Sequence, residues 1–309
     1  MIKKITLKTF AYNLFYLSVL LLLSYSFNAH AKTNNKSKKS VNLASISAIS
    51  VDLKTGSVLL SKNSKLVVPI ASITKLMTAM VILDAKLSLK EKIRFSRADK
   101  KAINNYFSRI RIGSELSRAD TLRIALMSSE NLASTALART YPGGRKAFIR
   151  AMNAKAKLLG MRKTRFVNAT GLSEKNISTA ADLAKMVRVA AKYPLIKKYT
   201  TTQTYTARFK KPRYILGYTN SNLLIRTGNK DIKLSKTGYL DEAGRCLTIV
   251  RKVNNKDVVM VLLDSYGKRS PVGDANRIKK WLQTGKQGKV KQRAKNYEQM
   301  KLSQYFNGK

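Results

Sequence analysis

Ser72 and Lys75 lie three residues apart in the stretch VVPIASITKLMTAMVILDA, where no other charge appears until Asp84. On a helix such a spacing puts both side chains on one face, so a hydroxyl and an amine can meet. An ammonium among apolar neighbours is costly, and desolvation lowers its proton affinity toward a neutral amine. That amine can take a proton from the serine. Near a helix N-terminus, the positive end of the dipole also favours negative charge developing on the Ser72 oxygen. The chemistry would be nucleophilic acyl transfer with a lysine as base. The same pair alone also fits a capping serine beside a snorkelling lysine, and Ser265 to Lys268 repeats the spacing.

Two further groups carry polar chemistry. Ser128-Ser129-Glu130-Asn131 interrupts two helical segments, so its side chains project from a turn. There Ser129 can pass a proton and Asn131 can hydrogen-bond a substrate amide. Later, Lys236-Thr237-Gly238-Tyr239 follows a short alternating run, Asp231 to Leu234, and reads as part of a strand. A lysine and a threonine there can hold a carboxylate, and the glycine lets a substrate backbone approach closely. Each tripeptide is weak by itself: Lys54-Thr55-Gly56, Ser40 to Asn42 and Ser61 to Asn63 match too.

The ends of the chain narrow the chemistry. Residues 1–31 read as a secretory signal peptide, with Lys3, Lys4 and Lys8 before an apolar core, Leu14 to Leu23. Ala29-His30-Ala31 then supplies small residues ahead of a cleavage point at Lys32. The single histidine, His30, would leave with that segment, excluding Ser-His-Asp and Cys-His catalysis and any histidine zinc site. Cys246 is the only cysteine, so no internal disulfide forms despite export. A hydrolase must then find its base among Lys, Tyr, Asp and Glu. The formal charge of +45 comes from 61 basic and 16 acidic residues, and all but three of those basic residues lie outside the expected signal peptide. Such a field draws polyanions. The basic residues are spread evenly, without the arginine clusters or aromatic platforms of nucleic-acid binders, so no nucleic acid is expected.

Residues 32–43 read as a flexible basic leader, 44–283 as the working domain, and 284–309 as a basic tail, mobile or peripheral. A hairpin is expected at Ala44–Ser61 and another at Cys246–Asp264, followed by a helix over Asp274–Gln283. The middle reads as largely helical, with segments around Leu122–Met127, Leu132–Arg139 and Arg145–Leu159, and a helix capped by Ser178 or Thr179. Strands at both ends with helices between predict an α+β fold. One antiparallel sheet would be formed by the two chain ends, with a helical lobe and a ligand cleft between them.

Taken together and in this order, Ser-x-x-Lys, Ser-x-Asn and Lys-Thr-Gly are the set shared by serine β-lactamases and penicillin-binding proteins. PIASITKLMTAMV, LMSSENLASTALARTYPGG, FVNATGLSEKNISTAADLAKMV and SKTGYLDEAGRCL closely resemble low-molecular-mass penicillin-binding proteins, most of all the D-alanyl-D-alanine endopeptidase group. The resemblance runs from about Ser45 to about Gln283. It implies a β-lactamase/transpeptidase-like fold. It also implies Ser72 as acylated nucleophile, Lys75 as its base and Ser129 as proton relay. Asn131, Lys236, Thr237 and Gly238 would bind substrate. The N–H groups of Ser72 and Tyr239 would form the oxyanion hole, without metal or cofactor. The implied partners are peptidoglycan stems and cross-links, with β-lactams as covalent inhibitors. The basic surface adds an electrostatic hold on acidic wall polymers or membrane lipids.

A class A β-lactamase would need a glutamate to activate deacylating water, and between Asn131 and Lys236 only Glu174 is present, outside that family's pattern. Many carboxypeptidases of the family add a β-domain and an amphipathic anchor. Here the chain after Lys236 is short and its end lacks an apolar face. An exported, periplasmic endopeptidase cutting D-alanyl–diaminopimelate cross-links, either soluble or loosely held, is therefore expected. A D-alanyl-D-alanine carboxypeptidase is the alternative, and a cationic wall-binding scaffold with a dead site is the non-enzyme reading.

Overall fold

The structure, a computed structural model, describes residues 41–104 and 106–307. The expected signal peptide and most of the leader lie outside the described residues. Strand β1 (Ser45–Asp52) turns at Lys54-Thr55-Gly56 into β2 (Val58–Lys62), and β3 (Val68–Pro69) leads to a 3₁₀ turn, Ala71–Ile73. Helix α1 (Thr74–Asp84) follows, then β4 (Lys92–Arg94), α2 (Arg97–Ala102) and β5 (Glu115–Ser117). The helical lobe continues with α3 (Arg118–Met127), α4 (Asn131–Arg139) and α5 (Gly144–Leu158). Beyond β6 (Ile177–Ser178) come α6 (Ala180–Ala190) and α7 (Pro194–Thr200). Thr179 is the residue that caps α6, its hydroxyl accepting from the Asp182 N–H at 3.0 Å. A hairpin, β7 (Thr204–Phe209) and β8 (Tyr214–Thr219), and the short α8 (Leu223–Arg226) complete the lobe. The chain then returns through β9 (Ile232–Leu240), β10 (Gly244–Val253) and β11 (Lys256–Ser265) before α9 (Ser270–Thr284) and α10 (Gln292–Asn307).

The two chain ends do build one antiparallel sheet, in the order β2-β1-β11-β10-β9, with Ser45 opposite Ser265. Strands β10 and β11 are buried along nearly their whole length, with apolar centres, because both faces are covered. Alternate residues divide between two cores. Ile49, Val51, Val250, Val259 and Val261 face the helical lobe, while Leu247, Ile249, Met260 and Leu262 meet Ala275 and Ile278 of α9. Helix α1 lies in the larger core, buried from Thr74 through Ile82. Each of its Leu, Met and Ile side chains contributes about 1.5–3 kcal/mol by leaving water. This arrangement confirms the α+β class.

The fold reaches further at both ends than the composition suggested. Val41 and Leu43 are buried against the outer core, so the flexible leader stops short of them. The basic tail, expected to be mobile or peripheral, carries the docked helix α10. Tyr297 and Tyr305 each donate to the carboxylate of Asp264 at 2.6 Å, and Lys301 lies 3.4 Å away. Asp264 is fully buried. Polar anchors of this kind leave no apolar stripe to recognise in the sequence.

Candidate active site

Ser72 sits on the 3₁₀ turn rather than on the helix proper, and Lys75 lies on the first turn of α1. In a 3₁₀ turn residues i and i+3 eclipse one another, and the Lys75 Nζ is 2.6 Å from the Ser72 Oγ. Two more acceptors close around the amine: Asn131 Oδ1 at 2.8 Å and the backbone carbonyl of Thr170 at 2.6 Å. Lys75 is 1% exposed, and no carboxylate stands among its three partners. Burial holds its pKa well below the ordinary lysine value, the positive charge of Lys236 pushes the same way, and Glu130 opposes. A neutral amine has two N–H donors and one lone pair. It can therefore give hydrogen bonds to Asn131 and Thr170 while accepting one from the Ser72 hydroxyl.

The turn between α3 and α4 supplies the second group. Ser129 adopts φ +64°, a left-handed conformation that non-glycine residues rarely hold. Glu130 accepts from the Leu132 N–H at 3.2 Å and so caps α4, whose first residue is Asn131. The third group lies on β9, an edge strand. Lys236 is 1% exposed and lies 2.9 Å from Ser129 Oγ, with its own neighbour's carbonyl, Thr237 O, at 2.8 Å. Burial brings its pKa down to about 7. The Thr237 hydroxyl donates to Ser221 Oγ at 2.6 Å. A methyl group on Gly238 would stand 3.1 Å from the Ser72 nitrogen, so glycine keeps that N–H uncovered.

All eight residues picked out from the sequence thus converge: Ser72, Ser129, Asn131, Thr237, Gly238 and Tyr239 line one cleft of about 480 Å³, with Lys75 and Lys236 at its floor. The look-alikes do not join them. Lys54-Thr55-Gly56 is a hairpin turn whose Thr55 bonds to Asp52, and Ser265 bonds to Ser45 in the sheet.

Sequence reasoning missed the loop that holds the nucleophile turn. Asn168 Oδ1 accepts from the Thr170 and Gly171 N–H groups at 3.1 and 2.8 Å, folding the loop so that the Thr170 carbonyl reaches Lys75. Asn176 ties the same loop to Thr74 of α1 at 3.0 Å. Gly171 has φ +81°, and a Cβ there would fall 1.9 Å from the Ala71 carbonyl oxygen. The only signal was the stretch FVNATGL itself, since a backbone acceptor has no residue type to read. Ser221 was missed as well, sixteen residues being too far from Thr237 for any local pattern.

Chemically, the cleft joins a serine hydroxyl to a deprotonatable amine, a second hydroxyl to a buried lysine amine, and open backbone N–H groups on an edge strand. That set is suited to acyl transfer through a serine ester. Among the described residues no cluster of His, Cys, Asp and Glu could hold a metal ion, and no helix is long and apolar enough to cross a membrane.

Comparison with known proteins agrees with the geometry. Over 296 residues the chain is 46% identical to a D-alanyl-D-alanine endopeptidase of Escherichia coli, covering 96% of each. It is 49% identical over 255 residues to the enzyme of the same name from Pseudomonas aeruginosa, covering 82% of each. Among solved structures, the DD-transpeptidase of a Streptomyces strain superposes with a TM-score of 0.71 at 26% identity, over 84% of this chain and 99% of that one. An ampicillin-bound penicillin-binding protein from Listeria monocytogenes gives 0.66 at 29% identity, over 77% of this chain and 97% of that one. Residues 32–267 match the family described as D-alanyl-D-alanine carboxypeptidase, and the chain belongs to that family of serine peptidases.

Proposed function

We propose that this chain is a DD-endopeptidase that cuts D-alanyl–diaminopimelate cross-links of peptidoglycan through an acyl-enzyme on Ser72. The observation that carries this is the 2.6 Å contact between Ser72 and a Lys75 amine buried without a carboxylate partner. In the first step the Ser72 oxygen bonds to the D-alanyl carbonyl carbon and its proton passes to Lys75. The oxyanion is held by the N–H groups of Ser72 and Tyr239, each such donor contributing about 3–4 kcal/mol in comparable sites. The carbon–nitrogen bond then breaks as the proton held by Lys75 passes by way of Ser129, linked to Lys236, to the leaving amine, which returns Lys75 to its neutral form. Water then bonds to the ester carbon and gives a proton to Lys75, and that proton passes to the Ser72 oxygen as the ester breaks. Asn131 turns its carbonyl to Lys75 and keeps its NH₂ for the substrate amide. Lys236 and Thr237 hold the carboxylate beside the scissile bond. Endopeptidase rather than carboxypeptidase action is supported by the names of the relatives at 46% and 49% identity.

No Asp or Glu lines the cleft, and Glu174 is exposed on a turn outside it. The cleft thus lacks the carboxylate that a class A β-lactamase uses to activate deacylating water, which supports a target of penicillins over a β-lactamase. Placement in the periplasm, and salt-sensitive attachment to acidic polymers or lipids through the basic surface, complete the proposal. Fluorescent penicillin should label the protein and not Ser72→Ala. Digestion of purified peptidoglycan should remove cross-linked dimers. Loss of terminal D-alanine alone would identify a carboxypeptidase, and label persisting on Ser72→Ala would refute the mechanism.

A further inference from the structure

The mouth of the cleft holds more positive charge than one carboxylate requires. Arg226, Arg245, Lys268 and Arg269 all line it, no acidic residue does, and none of the four forms an ion pair among the described residues. Elsewhere the scarce carboxylates are spent on neighbours: Asp231 alone faces both Lys279 and Arg251. Four unpaired cations around one concavity repel one another, which favours an anion between them.

These cations flank the two strand residues assigned above to the scissile bond, Thr237 at the leaving carboxylate and Tyr239 at the carbonyl. Ser221, hydrogen-bonded to Thr237, begins the turn that enters α8, and Arg226 ends that helix. Leu247 pairs with Thr237 across the sheet, and Arg245, two residues away on the same face, pairs with Tyr239. The Arg245 guanidinium lies 3.5 Å over the Tyr239 ring, which holds it at the rim. A terminal D-alanine leaving here brings one carboxylate, already placed at Lys236 and Thr237. A leaving peptide stem brings that carboxylate and others farther along.

We propose that Arg226, Arg245 and Lys268 form a subsite for the additional carboxylates of the second stem, and so determine specificity for cross-linked over single-stem substrates. This rests on the endopeptidase proposal and names the side chains that would serve it. Arg269, nearest the start of α9, is left outside the subsite.

The test compares wild type with Arg226→Gln, Arg245→Gln and Lys268→Gln, singly and combined, on three probes: a purified cross-linked muropeptide dimer, a single pentapeptide stem, and a penicillin. Exposed charge contacts of this kind predict about a two- to fivefold loss in kcat/KM on the dimer per cation and about tenfold to a hundredfold for all three. The loss should lie mainly in KM, because such contacts are equally strong before and during reaction. Pentapeptide cleavage and penicillin acylation should stay within about twofold, since neither uses the subsite. Higher salt should raise KM for the dimer more than for the pentapeptide. Unchanged dimer kinetics, or an equal loss on all three probes, would overturn the proposal. If the triple variant loses acylation altogether, Arg226→Gln and its charge-keeping partner Arg226→Lys on the exposed end of α8 decide: equal dimer KM for the two would also overturn it. A wild type that takes up penicillin but leaves dimers intact refutes the endopeptidase proposal itself, before any variant is compared.

Discussion

Replacing Gly171 by alanine tests whether the 168–171 loop sets the nucleophile's position. The added Cβ would stand 1.9 Å from the Ala71 carbonyl oxygen, 2.3 Å from its carbon and 2.9 Å from the Ser72 nitrogen. Real contacts there need over 3 Å, so loop and turn must part by about 1 Å, and a shift of that size commonly costs about a hundredfold in rate. The backbone adds its own penalty, because alanine at φ +81° is strained by about 1–3 kcal/mol. Gly113 separates the two effects: it has φ +90° but nothing within 4 Å of its added methyl. Both variants should lose stability in urea unfolding, while only Gly171→Ala should be acylated by penicillin about a hundredfold more slowly. Acylation of Gly171→Ala at the wild-type rate, or equal slowing in Gly113→Ala, would show that this loop does not hold Ser72 against Lys75.

Lys75→Arg should keep a positive charge yet slow acylation by about 10²–10⁴-fold, because guanidinium stays protonated and cannot serve as base; near-normal labelling would remove Lys75 from that role. The pKa of Lys236, near 7 when folded and 10.5 as a free side chain, makes stability depend on pH. Below pH 7 both states carry the proton and the burial penalty is felt in full. Between pH 7 and 10.5 the folded state has released its proton and the unfolded state has not, so stability rises by about 1.4 kcal/mol per pH unit relative to Lys236→Met. Parallel urea curves for the two proteins across that window would contradict the buried, perturbed amine. Truncation after Gly285 removes Tyr297, Lys301 and Tyr305 and strands the buried Asp264, which should cost about 3–5 kcal/mol. A loss under about 1 kcal/mol would mean that α10 is peripheral after all.

Side-chain chemistry was the most legible part of the protein. Three short motifs named the serine, lysine and asparagine groups gathered around the nucleophile, because each motif is local and each role depends on residue type. What escaped belongs to the backbone or to distant pairs: the Thr170 carbonyl, the 3₁₀ turn under Ser72, the Ser221 partner of Thr237. Strands β10 and β11 were readable from their β-branched runs, and α9 from its apolar periodicity. Helix α10 was not, since two tyrosine hydroxyls and a lysine on a single buried aspartate do what an apolar face does elsewhere.

The pairing of Ser45 with Ser265, 220 residues apart, has a consequence for how the molecule comes into being. The central sheet cannot close until its last strand exists, so a nascent chain ending anywhere before β11 holds β1 and β2 without the neighbour that completes their layer. Contacts of such separation slow folding, since a long loop must be closed before they form. During synthesis the apolar α1 segment must therefore wait, unshielded by the sheet, for the end of the polypeptide. Active enzyme can arise only from chains made through to their final strands.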